Sequence, residues 1–286
     1  MNNYREVLSK VTIHPLFWVV IAIGVVTAHF KELLVLFMIV LIHELGHGFA
    51  AAHFRWRIKR IQLLPFGGVA ELEEHGNKPL HEEWIVILAG PLQHVWMMGL
   101  AYILYQSGLI AMDAYHFFMW NNMIILLFNL LPIWPLDGGK LLLNLFSKQL
   151  PFVQAHRMML FTSGITFLIV MFVGLVWNTT NVTMWMILVF LATSMYTEWK
   201  QRQYTFVRFL LERYYGKKRD IGSLQPIVAT MDDPLYAIFT QFRRGYKHSI
   251  VIHGKDRQQY TLDENELLYA YFTEKRIRSS IGELIG

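Results

Sequence analysis

A short motif of ionisable residues, His43-Glu44-Leu45-Gly46-His47, lies inside an apolar run that extends from Leu33 to Ala52. Residues four apart on a helix share one face, so the two imidazole rings can bind a single metal ion. Glu44 lies beside them and can take a proton from a water at that metal. This combination of residue types and spacing is typical of zinc hydrolases.

The apolar surroundings of the motif sharpen this interpretation. A charged side chain at the centre of a membrane-spanning helix costs about 3 kcal/mol on insertion scales, so three ionisable groups together need a compensating partner. Metal coordination supplies one. The alternative is that the two histidines and the glutamate only form hydrogen bonds to neighbouring helices. Because ionisable residues inside a membrane usually mark a functional site, we expect a metal site.

The composition of the chain is that of a membrane protein. Its 286 residues are 54% hydrophobic and only 16% charged, and the mean hydropathy is +0.33. The sequence has no cysteine, so disulfides are excluded and a zinc ion must be held by nitrogen and oxygen ligands. The formal net charge is +5. Because the basic residues lie mostly at the ends of apolar runs or in the C-terminal part, we expect no nucleic-acid site.

Six apolar segments that can cross or enter a bilayer follow one another along the chain. They cover residues 14–30, 33–53, 84–105, 117–131, 159–177 and 182–197. The fourth runs into Pro132 and Pro135, which break a helix and are tolerated at membrane depth only where the backbone is buried or lines a cavity. We therefore predict a polytopic α-helical membrane protein with about six transmembrane segments embedded in a lipid bilayer.

The distribution of basic residues predicts the orientation. They cluster after the second, fourth and sixth segments, whereas the other side has only Lys31. Since cytoplasmic loops are enriched in Lys and Arg, we expect an integral, multi-pass protein with both termini in the cytoplasm. About 12 Å of helix separates His47 from the basic cluster that begins at Arg55. The metal site is thus expected within the bilayer, nearer the cytoplasmic face.

The segment between the second and third spans has a different character. Residues 58–74 are rich in β-branched and apolar residues around the turn signal Pro65-Phe66-Gly67-Gly68. This pattern predicts two short strands, although a loop that crosses the surface is the alternative. Two strands would offer an exposed edge that can pair with an extended substrate segment.

A hydrolytic zinc site needs a third protein ligand and an open position. Asp137 is our candidate because it lies beside the fourth apolar segment, where a carboxylate is costly unless it meets a cation. The alternative is that Asp137 is the N-cap of a helix over residues 140–146, a role that aspartate fills well. Spacing alone leaves these two roles open.

Taken together, the motifs resemble those of the site-2 protease family of intramembrane metalloproteases. The motif from His43 to His47 matches the first family motif, and Asn129 with Pro135-Leu136-Asp137-Gly138-Gly139 is similar to the second. Ala89-Gly90-Pro91 and the segment 65–68 are similar to weaker family signatures. The resemblance extends over about residues 12–200 and implies an intramembrane zinc endopeptidase.

The resemblance also implies roles for individual residues. It makes zinc (Zn²⁺) ligands of His43, His47 and Asp137 and a general base of Glu44. Asn129 would position or stabilise the scissile carbonyl, although an interhelical hydrogen bond explains an asparagine in a membrane helix equally well. His94, in the third span, is expected to be a hydrogen-bond partner in helix packing and not a ligand.

The order of elements, the short first helices and a soluble C-terminal segment are most similar to the sporulation-type subgroup of that family. This similarity implies that the substrate is the membrane-associated pro-form of a late sporulation sigma factor. It places the protein in the membrane surrounding the forespore and makes membrane inhibitor proteins candidate partners.

The C-terminal segment reads as a small α/β domain. From residue 221 onward the sequence predicts a helix over 235–242, a strand over 249–253 and a helix over 263–272 whose N-cap is Asp263. The segment looks like a single CBS domain, a module that this subgroup associates with ATP sensing, so ATP is a candidate regulatory ligand. With about 65 residues it buries little core, which favours a homo-oligomer.

The predicted domains are a membrane-embedded metalloprotease domain over residues 1–197, an interfacial helix or linker over 198–220 and a CBS-like regulatory domain over 221–286. The competing function is a metal transporter or channel with a CBS regulatory domain, because transported ions also bind histidines and acids in membrane helices. Transport predicts internal repeats, which the sequence lacks, and gives no reason for Glu44 between the histidines. An inactive relative would normally have lost a ligand or the base, and none is lost.

Overall fold

The computed structural model describes residues 7–28, 30–64, 67–72, 78–177, 180–216, 223–253, 259–277 and 279–285. The chain divides into two compact units, each built from several stretches of sequence. The first consists of Met1–Glu74, His81–Leu141 and Ser163–Ser194, and the second of His75–Leu80, Leu142–Thr162 and Met195–Gly286.

The first unit is mainly helical. Its helices are α1 (Pro15–Val26), α2 (Phe30–His53), α3 (Leu80–Gln106) and α4 (Met112–Asn129). Three further helices contribute part of their length to it, namely α5 (Asp137–Ser147), α6 (Phe152–Trp177) and α7 (Val182–Tyr215). Each of the six apolar segments predicted from sequence falls mainly on one of these helices, although the first and the fourth extend past the ends of α1 and α4.

Among the described residues, three helices are long and apolar enough to cross a membrane: α2, α3 and α6. A shorter apolar helix covers Phe17–Val26. The chain is therefore largely helical with three candidate membrane-spanning helices among the described residues, and the count of six spans remains a prediction for α1, α4 and α7. Helix α4 ends at Asn129, where Leu130 caps it, because Pro132 disfavours helical backbone in the residue before it.

A small sheet belongs to the first unit. Its strands are β1 (Val11–Ile13), β2 (Ile58–Leu64) and β3 (Gly67–Leu72), in the order β1-β2-β3. Strand β1 runs parallel to β2, and β2 runs antiparallel to β3. The two predicted strands are thus confirmed, while Pro65 and Phe66 of the predicted turn lie outside the described residues. Strand β1 was not predicted, since three residues are too few to show alternation.

Strand β2 is tied to α2 by an apolar core. Ile58 and Ile61 of β2 are buried with Ala51 and Ala52 near the end of α2, together with Val7, Trp56 and Val86. Trp56 also donates its indole N–H to Glu82 Oε2 at 2.8 Å. These contacts fix the sheet against the helix that contains the histidine motif.

The second unit contains an α/β arrangement. Its elements are β4 (Leu224–Thr230), α8 (Leu235–Phe239), β5 (Lys247–His253), β6 (Gln259–Asp263), α9 (Glu264–Phe272) and α10 (Gly282–Ile285). Strand β4 is parallel to β5, and β5 is antiparallel to β6. The predicted strand and two helices are present, and Asp263 caps α9 by accepting from the Asn265 N–H at 2.9 Å. Strands β4 and β6 were missed, because Pro226 interrupts the first and Gln259 and Tyr260 make the second exposed.

Helix α7 continues from the sixth predicted span into the predicted linker as one helix of 34 residues that ends at Tyr215. Its C-terminal part belongs to the second unit. There, Phe206, Phe209 and Leu210 pack into the same core as Ile250 and Leu267. This packing explains the helical spacing of apolar residues that the sequence shows after residue 198.

Candidate active site

Three side chains from two helices converge in the first unit. His43 and His47 lie one turn apart on α2, and Asp137 is the first residue of α5. Asp137 Oδ2 is 3.1 Å from His43 Nε2 and 3.0 Å from His47 Nε2, and the two Nε2 atoms are 3.1 Å apart. All three residues are buried, with exposed fractions of 2 to 5%. Among the described residues, they form the one group of three whose donor atoms can share a metal ion.

The hydrogen bonds around this triangle indicate that His47 Nε2 and Asp137 Oδ2 direct lone pairs at each other. His47 Nδ1 lies 2.8 Å from the Val86 carbonyl, which only accepts, so the proton of the neutral ring is on Nδ1 and Nε2 is bare. Within the described part of the chain, Asp137 Oδ2 has no hydrogen-bond partner. Acceptors held about 3 Å apart in a buried site repel unless a cation lies among them. Two imidazole nitrogens and a carboxylate oxygen are a ligand set that suits zinc.

The second oxygen of Asp137 has a partner of its own. Lys140 Nζ lies 3.1 Å from Asp137 Oδ1, one helical turn further along α5. This ion pair leaves Oδ2 directed at the histidines. Lys140 therefore contacts Oδ1, and the two histidines contact Oδ2. Asp137 is the first residue of α5 and does not precede the helix. Sequence reasoning missed Lys140, although its position three residues after Asp137 was a usable signal.

Glu44 lies beside the histidines and against strand β3. Its side chain is 6% exposed. A Cβ added at Gly68 would come within 2.7 Å of Glu44 Cδ and 2.8 Å of Oε1. The absence of a side chain at Gly68 thus lets the backbone of the edge strand approach the carboxylate. Glu44 is outside the metal-binding group formed by His43, His47 and Asp137.

Helices α2 and α3 cross closely at the motif. A Cβ added at Gly90 would come within 2.9 Å of His43 Cε1 and still closer to His47. A Cβ at Gly46 would come within 2.6 Å of the Ala89 carbonyl oxygen. The glycine of Ala89-Gly90-Pro91 is therefore required by the close approach of α3 to both imidazole rings.

Asn129 and His94 are the remaining residues that the sequence analysis singled out. Asn129 is half-buried at the end of α4, and its amide donates to the Ile125 carbonyl of the same helix at 3.0 Å. That bond is within one helix, so the interhelical alternative is not what the structure shows, and the role of Asn129 at the scissile carbonyl stays a prediction. His94, on α3, is the hydrogen-bond partner that was expected: its Nε2 lies 3.0 Å from His43 Nδ1.

Asn122 was not anticipated from the sequence. It lies on α4, is fully buried, and its Oδ1 contacts His94 Nδ1. The available signal was a polar residue in the middle of an apolar span. The adjacent Asn121 gives the same signal, but its amide donates to the Phe117 carbonyl of its own helix. Only the packing of α3 against α4 distinguishes the two asparagines.

A model of peptidase family M50 matches residues 31–111 and 106–173 of this chain. Stage IV sporulation protein FB of Bacillus subtilis is 49% identical over 285 residues, which is 100% of this chain and 99% of that protein. A zinc metalloprotease of Methanocaldococcus jannaschii is 32% identical over 127 residues, or 43% of this chain and 37% of that protein.

A solved structure is similar in fold. The site-2 protease from Methanocaldococcus jannaschii matches with a TM-score of 0.52 and 26% sequence identity, covering 66% of this chain and 89% of that one. The matched family region contains His43, Glu44, His47 and Asp137 together with the glycine at position 90. The residues that meet in the structure are therefore those that lie within the family match.

Proposed function

The chain belongs to peptidase family M50 and is a zinc metalloprotease of the membrane, and we propose that His43, His47 and Asp137 hold its zinc ion while Glu44 is its general base. One observation carries the proposal. Two buried imidazole nitrogens and a buried carboxylate oxygen lie 3.0 to 3.1 Å from one another, and Asp137 Oδ2 is without a hydrogen-bond partner among the described residues. A metal transporter is not favoured, since one matching relative is a zinc metalloprotease and the similar solved structure is a site-2 protease.

The chemistry follows from what each residue offers. Zinc supplies a Lewis acid that polarises a peptide carbonyl and acidifies water. Glu44 takes the proton of the attacking water and delivers it to the nitrogen of the departing peptide segment, so no covalent enzyme intermediate is needed. Lys140 holds Asp137 in place through Oδ1. Burial of the histidines and the aspartate keeps bulk water from competing for their lone pairs.

Strands β2 and β3 support a proposal for how the substrate reaches the site. A transmembrane helix has all its backbone groups hydrogen-bonded internally, so a substrate must become extended before attack. Strand β3 is at the edge of its sheet, and its Gly68 backbone lies against Glu44. We propose that an extended substrate segment pairs with β3 and so brings its scissile bond to the base and the metal.

The proposed substrate is the membrane-associated pro-form of a late sporulation sigma factor. The support is the 49% identity to stage IV sporulation protein FB along almost the full length of both chains. The same similarity supports a location in the membrane surrounding the forespore and inhibition by membrane proteins. The clustering of basic residues supports six spans and cytoplasmic termini.

The test is co-expression of the chain with a matching pro-sigma factor. We expect a shortened sigma factor with the wild-type chain and none with Glu44→Gln, which keeps the shape of the residue but cannot accept the proton. Gly99→Ala is a suitable control for expression, because no atom lies within 4 Å of the added methyl group. Equal cleavage by wild type and Glu44→Gln would refute the assignment of the base.

For residues 221–286 we propose a CBS-like regulatory domain. The support is the element order β4-α8-β5-β6-α9, a β-α-β-β-α arrangement with one parallel and one antiparallel strand pair. So small a unit favours self-association, and ATP is the proposed regulatory ligand. The full-length chain should change its cleavage rate on addition of ATP and should sediment as an oligomer. An ATP-independent monomer would refute this part.

A further inference from the structure

We propose that His94 and Asn122 are positioning residues: they determine which nitrogen of the His43 ring carries the proton, and so direct the lone pair of the other nitrogen at the zinc site. The inference rests on the proposed zinc ligation by His43, His47 and Asp137. It concerns two residues that lie outside that ligand group and on other helices: His94 on α3 and Asn122 on α4.

The contacts form an unbroken chain. His43 Nδ1 lies 3.0 Å from His94 Nε2, and His94 Nδ1 contacts Asn122 Oδ1. His94 and Asn122 are each 0% exposed, and His43 is 2% exposed. Three helices thus meet at three side chains that are shielded from water, so His43 Nδ1 and both nitrogens of His94 find their partners within this group, while Asn122 Nδ2 has no hydrogen-bond partner among the described residues.

The direction of both hydrogen bonds follows from Asn122, the last residue of the series His43–His94–Asn122. Asn122 Oδ1 is a carbonyl oxygen and can only accept, so His94 carries its proton on Nδ1 and leaves Nε2 as an acceptor. His43 must then donate its Nδ1–H to that nitrogen. Its Nε2 is consequently bare, and this is the atom that lies 3.1 Å from Asp137 Oδ2. The Asn122 side-chain amide therefore selects the tautomer of His43 that can bind a metal.

The two ligand histidines reach the same state by different means. His47 donates to the backbone carbonyl of Val86, which no side-chain substitution removes. His43 depends on two side chains instead. Loss of His94 or Asn122 should therefore weaken ligation through His43 alone. Outer partners of ligating histidines typically affect metal affinity about 10- to 100-fold, which is the effect we expect.

The experiment compares four variants of the full-length chain in detergent. His94→Phe keeps the ring shape without nitrogen atoms, and Asn122→Ala removes the terminal acceptor. Asn122→Asp retains an oxygen acceptor for His94 and should restore binding. Asn121→Ala is the matched control, since it makes the same change one residue away at an amide that bonds within its own helix.

Two readouts are needed: the zinc Kd from competition with a chelator, and the visible spectrum after cobalt replaces zinc. We expect a Kd about 10- to 100-fold weaker and an altered cobalt spectrum for His94→Phe and Asn122→Ala, with wild-type values for Asn121→Ala and for Asn122→Asp. The melting temperature of each variant shows whether the substitution also disturbs helix packing, apart from any effect on zinc binding.

Several results would overturn the inference. Wild-type zinc Kd and cobalt spectrum in both His94→Phe and Asn122→Ala would do so even if the melting temperature fell, because the residues would then only pack. Equal weakening by Asn121→Ala would also do so. If Asn122→Ala does not accumulate, His94→Phe decides by the same criteria. Failure of the wild-type chain to bind zinc would instead refute the ligand assignment itself.

Discussion

Replacement of Gly90 by alanine should disable the metal site without unfolding the protein. The added Cβ would lie 2.9 Å from His43 Cε1 and closer still to His47. Carbon atoms are in contact at about 3.5 Å, so the His43 ring must move by about 0.6 Å and the His47 ring by more. That shift exceeds the ±0.2 Å or so within which ligand distances of a metal site hold.

The size of the effect follows from the cost of overpacking. Extra methyl groups in a packed interior cost about 1 to 3 kcal/mol. If this strain is released by moving the rings away from the metal, it appears as a loss of zinc affinity, and at about 1.4 kcal/mol per factor of ten the zinc Kd should weaken roughly 5- to 150-fold. Peptide cleavage should fall in parallel at limiting zinc.

The assay is zinc titration of the purified full-length chain against a chelator, with Gly99→Ala as the matched control on the same helix. No atom lies within 4 Å of a Cβ at Gly99, so that variant should bind zinc as the wild type does. Its helix should even gain up to about 1 kcal/mol from the better propensity of alanine. A wild-type zinc Kd for Gly90→Ala would show that α3 does not press on the ligands as described.

Three further substitutions or conditions give separate tests. Asp137→Asn should lower zinc content and cleavage, whereas a capping role would tolerate asparagine and leave both unchanged. Gly68→Ala should push on Glu44 and reduce cleavage while zinc content stays constant. Burial lowers the pKa of His248, so the unfolded chain binds more protons below about pH 6.5 and the second unit should lose stability as the pH falls from 7 to 5. Hydrogen exchange of the full-length chain measures this, and pH-independent protection would contradict it.

The helices and the histidine pair of the metal group were predictable because their signals are local. The pair His43 and His47 is defined by helical spacing, and apolar length defines the spans. The short strands β1, β4 and β6 were not predictable, since three to seven residues with proline or exposed polar positions carry little periodicity.

The residues around the site required the fold. Asp137 was ambiguous in sequence because aspartate serves equally as a helix cap and as a ligand, and only its distance to α2 distinguishes the two. Asn122 and the Val86 carbonyl lie far from the motif along the chain and meet it through helix packing. Gly90 belongs to a recognisable motif, but its reason, the close approach to both imidazole rings, is visible only in three dimensions.

The most direct test of the central claim is X-ray absorption at the zinc edge of the purified chain, recorded for wild type, Glu44→Gln and Asp137→Ala. We predict two imidazole nitrogens and a carboxylate oxygen at about 2.0 to 2.2 Å in the wild type. Glu44→Gln should give the same spectrum while cleaving no substrate, and Asp137→Ala should lose one oxygen ligand. A wild-type spectrum without imidazole scattering, or loss of a ligand in Glu44→Gln, would contradict the proposed division of roles between ligands and base.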